Sequence, residues 1–304
     1  MSNSEPGSHL IFLISQPRSG STLLQKMLGA HPSIHTVSEP WLALYPAYAL
    51  RDNGTTAEFS GRLYRGAVRE FLRTLPEGER VWLEANRLML EHLYGKALAA
   101  SGKNLFLDKT PRYYHIIGEL QALFPAARFL LLFRNPLSVF ASILAGYKAE
   151  EPGMLAGSRH DLLSAPGLLL EGVTRLGSAA VRVQYEHMVE QPERVIRGIC
   201  EFLGIEFLPG MIDYGESAEG RWLYGDQGTV YRHGRPITER QARWRGTLGR
   251  SAARLSWGGS YLDALGGETI ARLGYRMEEL RQELETVTPA EPGPAIGWEQ
   301  LILG

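Results

Sequence analysis

An α/β fold, with a central parallel sheet covered by helices on both faces, is predicted by three features of the chain. Short apolar runs rich in strand formers occur at residues 9–15, 104–109, 128–133 and 181–185. Each run is followed by a segment with helical spacing, and alternation of this kind is the signature of parallel sheets. The runs are also nearly continuous rather than alternating, as expected of strands buried on both faces. Ligands in such sheets bind beyond the carboxyl ends of the strands. Gln16 to Thr22, Asp108 to Thr110, and Arg134 therefore come first as candidate site residues.

Taken in order, His9-Leu-Ile-Phe-Leu-Ile-Ser15 is the first strand, stopping at a turn that contains Pro17 and Gly20. Leu23, Leu24, Met27 and Leu28 then recur at helical spacing until Gly29-Ala-His-Pro32 closes the helix. Helical stretches are expected at 56–75 and 84–100, and helices at 113–124, 136–146 and 192–203 after the later strands. Residues 150–172 show no clear periodicity, and together with 56–75 and 84–100 they are candidate walls for an acceptor pocket. A last helix over 268–284 carries Ile270, Leu273, Met277, Leu280 and Leu284 on one face, and Thr288 to Pro294 reads as flexible tail. The expected organisation is a tail at 1–8, one domain at 9–286 and a second tail at 287–304.

Composition narrows the function classes. The 304 residues are 44% apolar, and 32 Lys and Arg nearly balance 33 Asp and Glu, so no global field favours nucleic acid or an anionic membrane. Any anion site must be built locally. The single cysteine, Cys200, sits in the apolar pattern of Val195, Ile199, Phe202 and Leu203, which suits a buried structural thiol and excludes an intrachain disulfide framework. The polar start MSNSEPGS and the lack of a long apolar run predict neither signal peptide nor membrane span, hence a cytoplasmic protein.

Pro17-Arg18-Ser19-Gly20-Ser21-Thr22 joins the first strand to its helix. Backbone N–H groups, two hydroxyls, an arginine and the positive end of a helix dipole converge there, which describes an anion site. An ordinary capped helix with a surface arginine has the same sequence. A Walker A loop is absent, since no lysine precedes the hydroxyl pair, so a P-loop kinase is the alternative rather than the first reading. No G-x-G-x-x-G turn follows the strand, which argues against a dinucleotide oxidoreductase. Arg134 ends the most apolar strand, where its guanidinium needs an anion or solvent. With Ser138 or Ser142 on the next helix it completes a second phosphate site, or it is an exposed strand-end arginine; the pattern fits both.

Together these segments resemble the sulfotransferases that use 3′-phosphoadenosine 5′-phosphosulfate (PAPS), with the protein-tyrosine and bacterial branches the most similar. Gln16-Pro-Arg-Ser-Gly-Ser-Thr-Leu-Leu24 resembles the family's 5′-phosphosulfate loop. The stretch from Ala126 to Ser142 resembles its 3′-phosphate segment, with Arg134 and Ser142 at the binding positions. Gln184-Tyr-Glu-His-Met-Val189 resembles the family's Tyr-Glu segment, where the tyrosine, here Tyr185, lies near the adenine.

The resemblance implies a P-loop-like three-layer fold, metal-independent in-line sulfuryl transfer, and a hydroxyl-bearing acceptor that is a small molecule, a carbohydrate or a tyrosyl side chain. It assigns donor binding to Arg18, Ser19, Gly20, Ser21, Thr22, Arg134, Ser142 and Tyr185, and cationic assistance to Arg18 and Lys109. Glu39 is the first choice of general base, His115 the second and His35 the third. Arg232-His233-Gly-Arg235, ahead of Arg243-Trp-Arg245, resembles the late loop that closes over the donor, although Gly225-Asp-Gln227 departs from the family's Gly-Asp-Pro. A nucleotide-binding module without catalysis fits if Glu39 and Lys109 point elsewhere. Trp222, Trp244 and Trp257 are assigned to packing.

Overall fold

The computed structural model describes residues 5–49, 51, 60–147, 150–215 and 233–303. Strand β1 (Leu10–Ser15) runs into helix α1 (Ser21–Gly29), then β2 (Ile34–Thr36), α2 (Leu44–Tyr48), α3 (Gly61–Arg73) and α4 (Glu79–Ser101). Next come β3 (Leu105–Lys109), α5 (Ile117–Leu123), β4 (Arg128–Phe133), α6 (Pro136–Leu144) and α7 (Ala165–Leu176). The order continues with β5 (Ala180–Gln184), α8 (Tyr185–Glu190), α9 (Pro192–Leu203), α10 (Arg243–Leu248), α11 (Ala252–Leu265), α12 (Gly267–Arg272), α13 (Met277–Glu285) and α14 (Trp298–Leu303).

All five strands pair in parallel, in the order β2-β3-β1-β4-β5. The sequence steps outward from β1 to β2, returns through β3, and crosses over β1 to β4. The strand order therefore reverses beside β1, the place where open α/β sheets bind ligands. Alternate β1 residues serve opposite layers: Leu10, Phe12 and Ile14 pack with α4, α5 and α7, while Ile11 and Leu13 pack with α1, α8 and α9. Two-sided burial explains why the strand reads as one apolar run. A third cluster joins Leu137 and Phe140 of α6 to Trp244, Trp257, Tyr261, Leu280, Leu301 and Ile302.

Several local expectations are corrected. The helix read over 113–124 is a tight 3-10 turn, Pro111–His115, followed by α5, because Ile116 leaves helical geometry between them. The helix read over 268–284 is α12 and α13, separated by Gly274 at φ 92°, a left-handed conformation that ends helices. Strand β2 was not anticipated, being three residues long. Residues 150–172, without periodicity in the sequence, hold a π-helical turn at His160–Ser164 and the start of α7, where Pro166 occupies a first-turn position that needs no N–H.

Within residues 287–304, expected to be a tail, Ser251 bridges Glu291, and Leu301 and Ile302 of α14 are buried in the third cluster. Apolar residues closing a Pro-rich segment outweigh the breakers before them. Cys200 is buried beside Met211, and burial pushes its thiol up to about 11. Among the described residues no helix is long and apolar enough to cross a membrane.

Candidate active site

The turn after β1 is shaped by two left-handed residues, Arg18 at φ 70° and Gly20 at φ 92°. Arginine adopts this conformation at a steric cost, whereas glycine adopts it freely. Gly20 is constrained a second way: a Cβ there would lie 2.5 Å from the Tyr185 ring. The amino end of α1 thus opens on a cavity of about 640 Å3 lined by Arg18, Gly20, Ser21 and Thr22. Its orphan N–H groups and dipole favour an anion.

Residues distant in sequence lock onto this turn. Arg18 Nε donates to Ser142 Oγ at 3.1 Å, and Arg134 Nη1 donates to the Arg18 carbonyl at 3.0 Å. The Arg134 guanidinium lies over the Tyr185 ring, 4.1 Å from its centre. Behind them Glu186 accepts from the Asn135 N–H at 3.0 Å and from the Tyr275 hydroxyl at 2.8 Å, which fixes the Arg134 segment to α8. Arg134 Nε is buried without a hydrogen-bond partner, and among the described residues no carboxylate pairs with Arg18 or Arg134. A buried donor of this kind is normally satisfied, and Arg134 Nε is the one such atom on these two arginines. Ser19 behaves differently from expectation. It is fully buried, its hydroxyl has no partner, and its side chain lies under the turn instead of lining the cavity.

Across the cavity the charges are paired. Lys109, at the end of β3 and fully buried, donates to Glu39 Oε1 at 2.6 Å. The indole of Trp41 donates to Glu39 Oε2 at 3.2 Å. Burial pulls the Lys109 pKa down while Glu39, and secondarily Asp108, pull it back up. Asp108, beside it, accepts from Tyr94 and Thr110 at 2.7 Å and from Tyr113 at 3.2 Å; burial outweighs these bonds and raises its carboxyl to about 6. Arg112 on the same wall forms a two-pronged pair with Asp161, at 3.0 and 2.5 Å, and Asp161 also accepts from the Tyr114 hydroxyl at 2.7 Å.

The other candidate bases lie elsewhere. His115 packs among the rings of Tyr48, Tyr114 and His160, outside the cavity lining, and burial lowers its pKa to about 4. His35 sits on β2 against Phe106. Of the late basic segment, His233 and Arg235 line the cavity, whereas Arg232, Trp222 and Gly225-Asp-Gln227 fall outside the described residues. Arg240 and Arg243 line it as well, and Arg245 turns away to Glu283 at 3.0 Å. Trp257 packs in the core, while Trp244 packs and also forms part of the cavity wall. Arg240 was missed: nothing in its sequence surroundings distinguishes it from a surface arginine.

A family model described as the sulfotransferase family matches residues 11–209, a span holding β1 to β5 and both anchored segments. The chain belongs to the sulfotransferase family. Among the relatives, the nodulation protein NoeE of Sinorhizobium fredii is 31% identical over 222 residues, which cover 65% of this chain and 50% of that protein. Protein-tyrosine sulfotransferase A of Caenorhabditis elegans is 27% identical over 207 residues, covering 65% of this chain and 50% of that one. The chain thus spans half the length of these two relatives. Among solved structures, the sulfotransferase domain from the curacin biosynthetic pathway matches with a TM-score of 0.53 and 21% identity, over 80% of this chain and 92% of that one. Mouse sulfotransferase SULT7A1, solved with 3′-phosphoadenosine 5′-phosphate (PAP), gives 0.51 and 14%, over 92% and 90%. These likenesses establish the shared fold.

Proposed function

We propose that the chain transfers a sulfuryl group from PAPS to the hydroxyl of an acceptor. One observation carries the reading. The cavity joins a wall of cations and helix N–H groups, suited to phosphates, to the Glu39 carboxylate, which lines the same space and is paired with the buried Lys109 behind it. The first wall supports anion binding through Arg18, Ser21, Thr22, Arg134 and Ser142, and its donor chemistry fits a nucleotide with phosphates at two ends. Tyr185, wedged between Gly20 and Arg134, offers a ring for the base. Basic residues His233, Arg235, Arg240 and Arg243 surround the same space.

The donor supplies the activated sulfuryl group, and the chain's residues handle protons and charge. Glu39 takes the proton of the attacking hydroxyl. Once it does, Lys109, buried behind Glu39, loses its counter-charge, and Arg18 supplies positive charge at the cavity surface. No step calls for a metal. The acceptor is a small molecule, a carbohydrate or a tyrosyl residue, the last named for several relatives. The balanced net charge and single buried thiol suit a cytoplasmic enzyme without nucleic-acid or membrane partners.

The test is incubation with sulfur-labelled PAPS and a panel of phenols, sugars and tyrosyl peptides, following release of PAP and label in the acceptor. Acceptor-dependent release supports the reading. Label that remains in the donor with every acceptor, alongside transfer from ATP, defeats it.

A further inference from the structure

Trp41 stands at an unusual junction. Its backbone is left-handed, φ 57°, a conformation that a bulky non-glycine residue adopts only where surrounding interactions hold it. What this conformation delivers is visible in the side chain. The indole Nε1–H reaches back two residues to Glu39 Oε2 at 3.2 Å, and the ring lines the cavity beside the carboxylate it binds. The outer face of the indole meets Arg112, whose guanidinium carbon is 5.6 Å from the ring centre. Arg112 is held in turn by the buried Asp161. Asp161 lies in the π-helical turn, and its carbonyl accepts from Gln16 Nε2 at 2.7 Å, at the root of the phosphate turn. A continuous series of contacts therefore runs from Gln16 through Asp161, Arg112 and Trp41 to Glu39.

We propose that Trp41 is a positioning residue for Glu39, fixing the plane of its carboxylate so that the pair with Lys109 and the approach to the acceptor hydroxyl coexist. A carboxylate held by Lys109 alone can rotate about its terminal bond; a second donor on the other oxygen removes that freedom. The ordered cost of a left-handed tryptophan is thereby balanced by a preoriented base. This inference rests on the reading of Glu39 as general base.

The test uses PAPS hydrolysis, in which water stands in for the acceptor: its oxygen bonds to sulfur, the sulfur–oxygen bond to the nucleotide breaks, and Glu39 receives the water's proton. Initial rates of PAP release and calorimetric PAP affinity are measured for wild type, Trp41→Phe, Trp41→His, Glu39→Ala and the Trp41→Phe/Glu39→Ala double variant. Expected are a tenfold or greater loss of rate in Trp41→Phe with PAP affinity within twofold, at least a third of the wild-type rate in Trp41→His, whose ring keeps an N–H, and no further loss from Trp41→Phe once Glu39 is gone. That non-additivity marks action through Glu39, and a merely structural role would not produce it. Full rate in Trp41→Phe while Glu39→Ala is slow overturns the proposal for Trp41 alone. Full rate in Glu39→Ala overturns the base reading beneath it; where the wild type releases no PAP with water, the same variants are compared with an acceptor that elicits release, and the same outcomes decide. Should Trp41→Phe fail to fold, the Trp41→His variant decides by itself: retention of rate supports the N–H role, and a loss equal to that of Glu39→Ala contradicts it.

Discussion

The two walls of the cavity solve opposite electrostatic problems. On the turn side, Arg18 and Arg134 bond to a hydroxyl and a carbonyl, and no carboxylate among the described residues neutralises them. On the facing side Lys109 is matched by Glu39 and Arg112 by Asp161. A wall of open charge is stable only while it awaits an anion or meets solvent, whereas a wall of paired charge can be buried and still receive a neutral group. Under the proposed function the first wall is expected to set donor affinity, with Arg18 also assisting the transfer, and the second to set the rate.

Variants that alter one wall alone should therefore split the two properties. The largest effect belongs to Glu39→Gln, expected to slow sulfuryl transfer by about 10²- to 10⁴-fold, the usual worth of a general base, with PAP affinity within twofold by calorimetry. Loss of affinity equal to the loss of rate would erase the distinction between the walls. Next comes Arg134→Ala, which removes charge-assisted hydrogen bonds worth about 1.5–3 kcal/mol each and should weaken PAP binding by about 100-fold. Gly20→Ala is expected to weaken PAP binding by about tenfold and to lower Tm, since a left-handed alanine costs about 1–3 kcal/mol and its Cβ meets Tyr185. Unchanged binding there would mean that Tyr185 moves aside without loss.

The smallest expected effect concerns acid stability behind the paired wall. His115 has its pKa lowered to about 4, chiefly by burial and then by His160 and Arg51. The unfolded chain, with an ordinary histidine near 6.5, takes up that proton first as pH falls. Its contribution to stability is thus fully present above pH 6.5 and is lost between 6.5 and 4. Asp108 carries the opposite sign, since its raised carboxyl favours the folded state more as pH falls toward 4. Comparing His115→Gln with wild type isolates the histidine: denaturant midpoints should fall less steeply from pH 7 to pH 4 in the variant. Equal slopes would remove His115 from the acid response.

What the sequence revealed follows the same division. The turn wall was legible because phosphate recognition uses local grammar: strand, glycine turn, hydroxyls and helix lie within Leu10 to Gly29. Ser19 was assigned to binding with the rest of the loop by its resemblance to the family's phosphosulfate loop, and the structure buries its side chain. On the facing side Glu39 was singled out by its resemblance to the family's base segment, whereas Trp41 and the Arg112–Asp161 pair behind it, drawn from three connections, carry no spacing that announces them. The Arg112–Asp161 pair depends on a π-helical turn for which a sequence offers no periodic signal. In the fold, four of the five strands and their parallel arrangement were visible as runs, the strand order was not, and β2 was too short to register. The final helix escaped notice because its apolar triplet, Leu301 to Leu303, follows a segment rich in proline.

The most direct test of donor binding in this cavity is calorimetric titration with PAP, with and without magnesium, on wild type, Arg18→Ala and Arg134→Ala. The account predicts micromolar, magnesium-independent binding that either substitution weakens by about 100-fold. Absence of PAP binding, together with magnesium-dependent binding of ATP, would contradict it and assign the phosphate turn to a kinase.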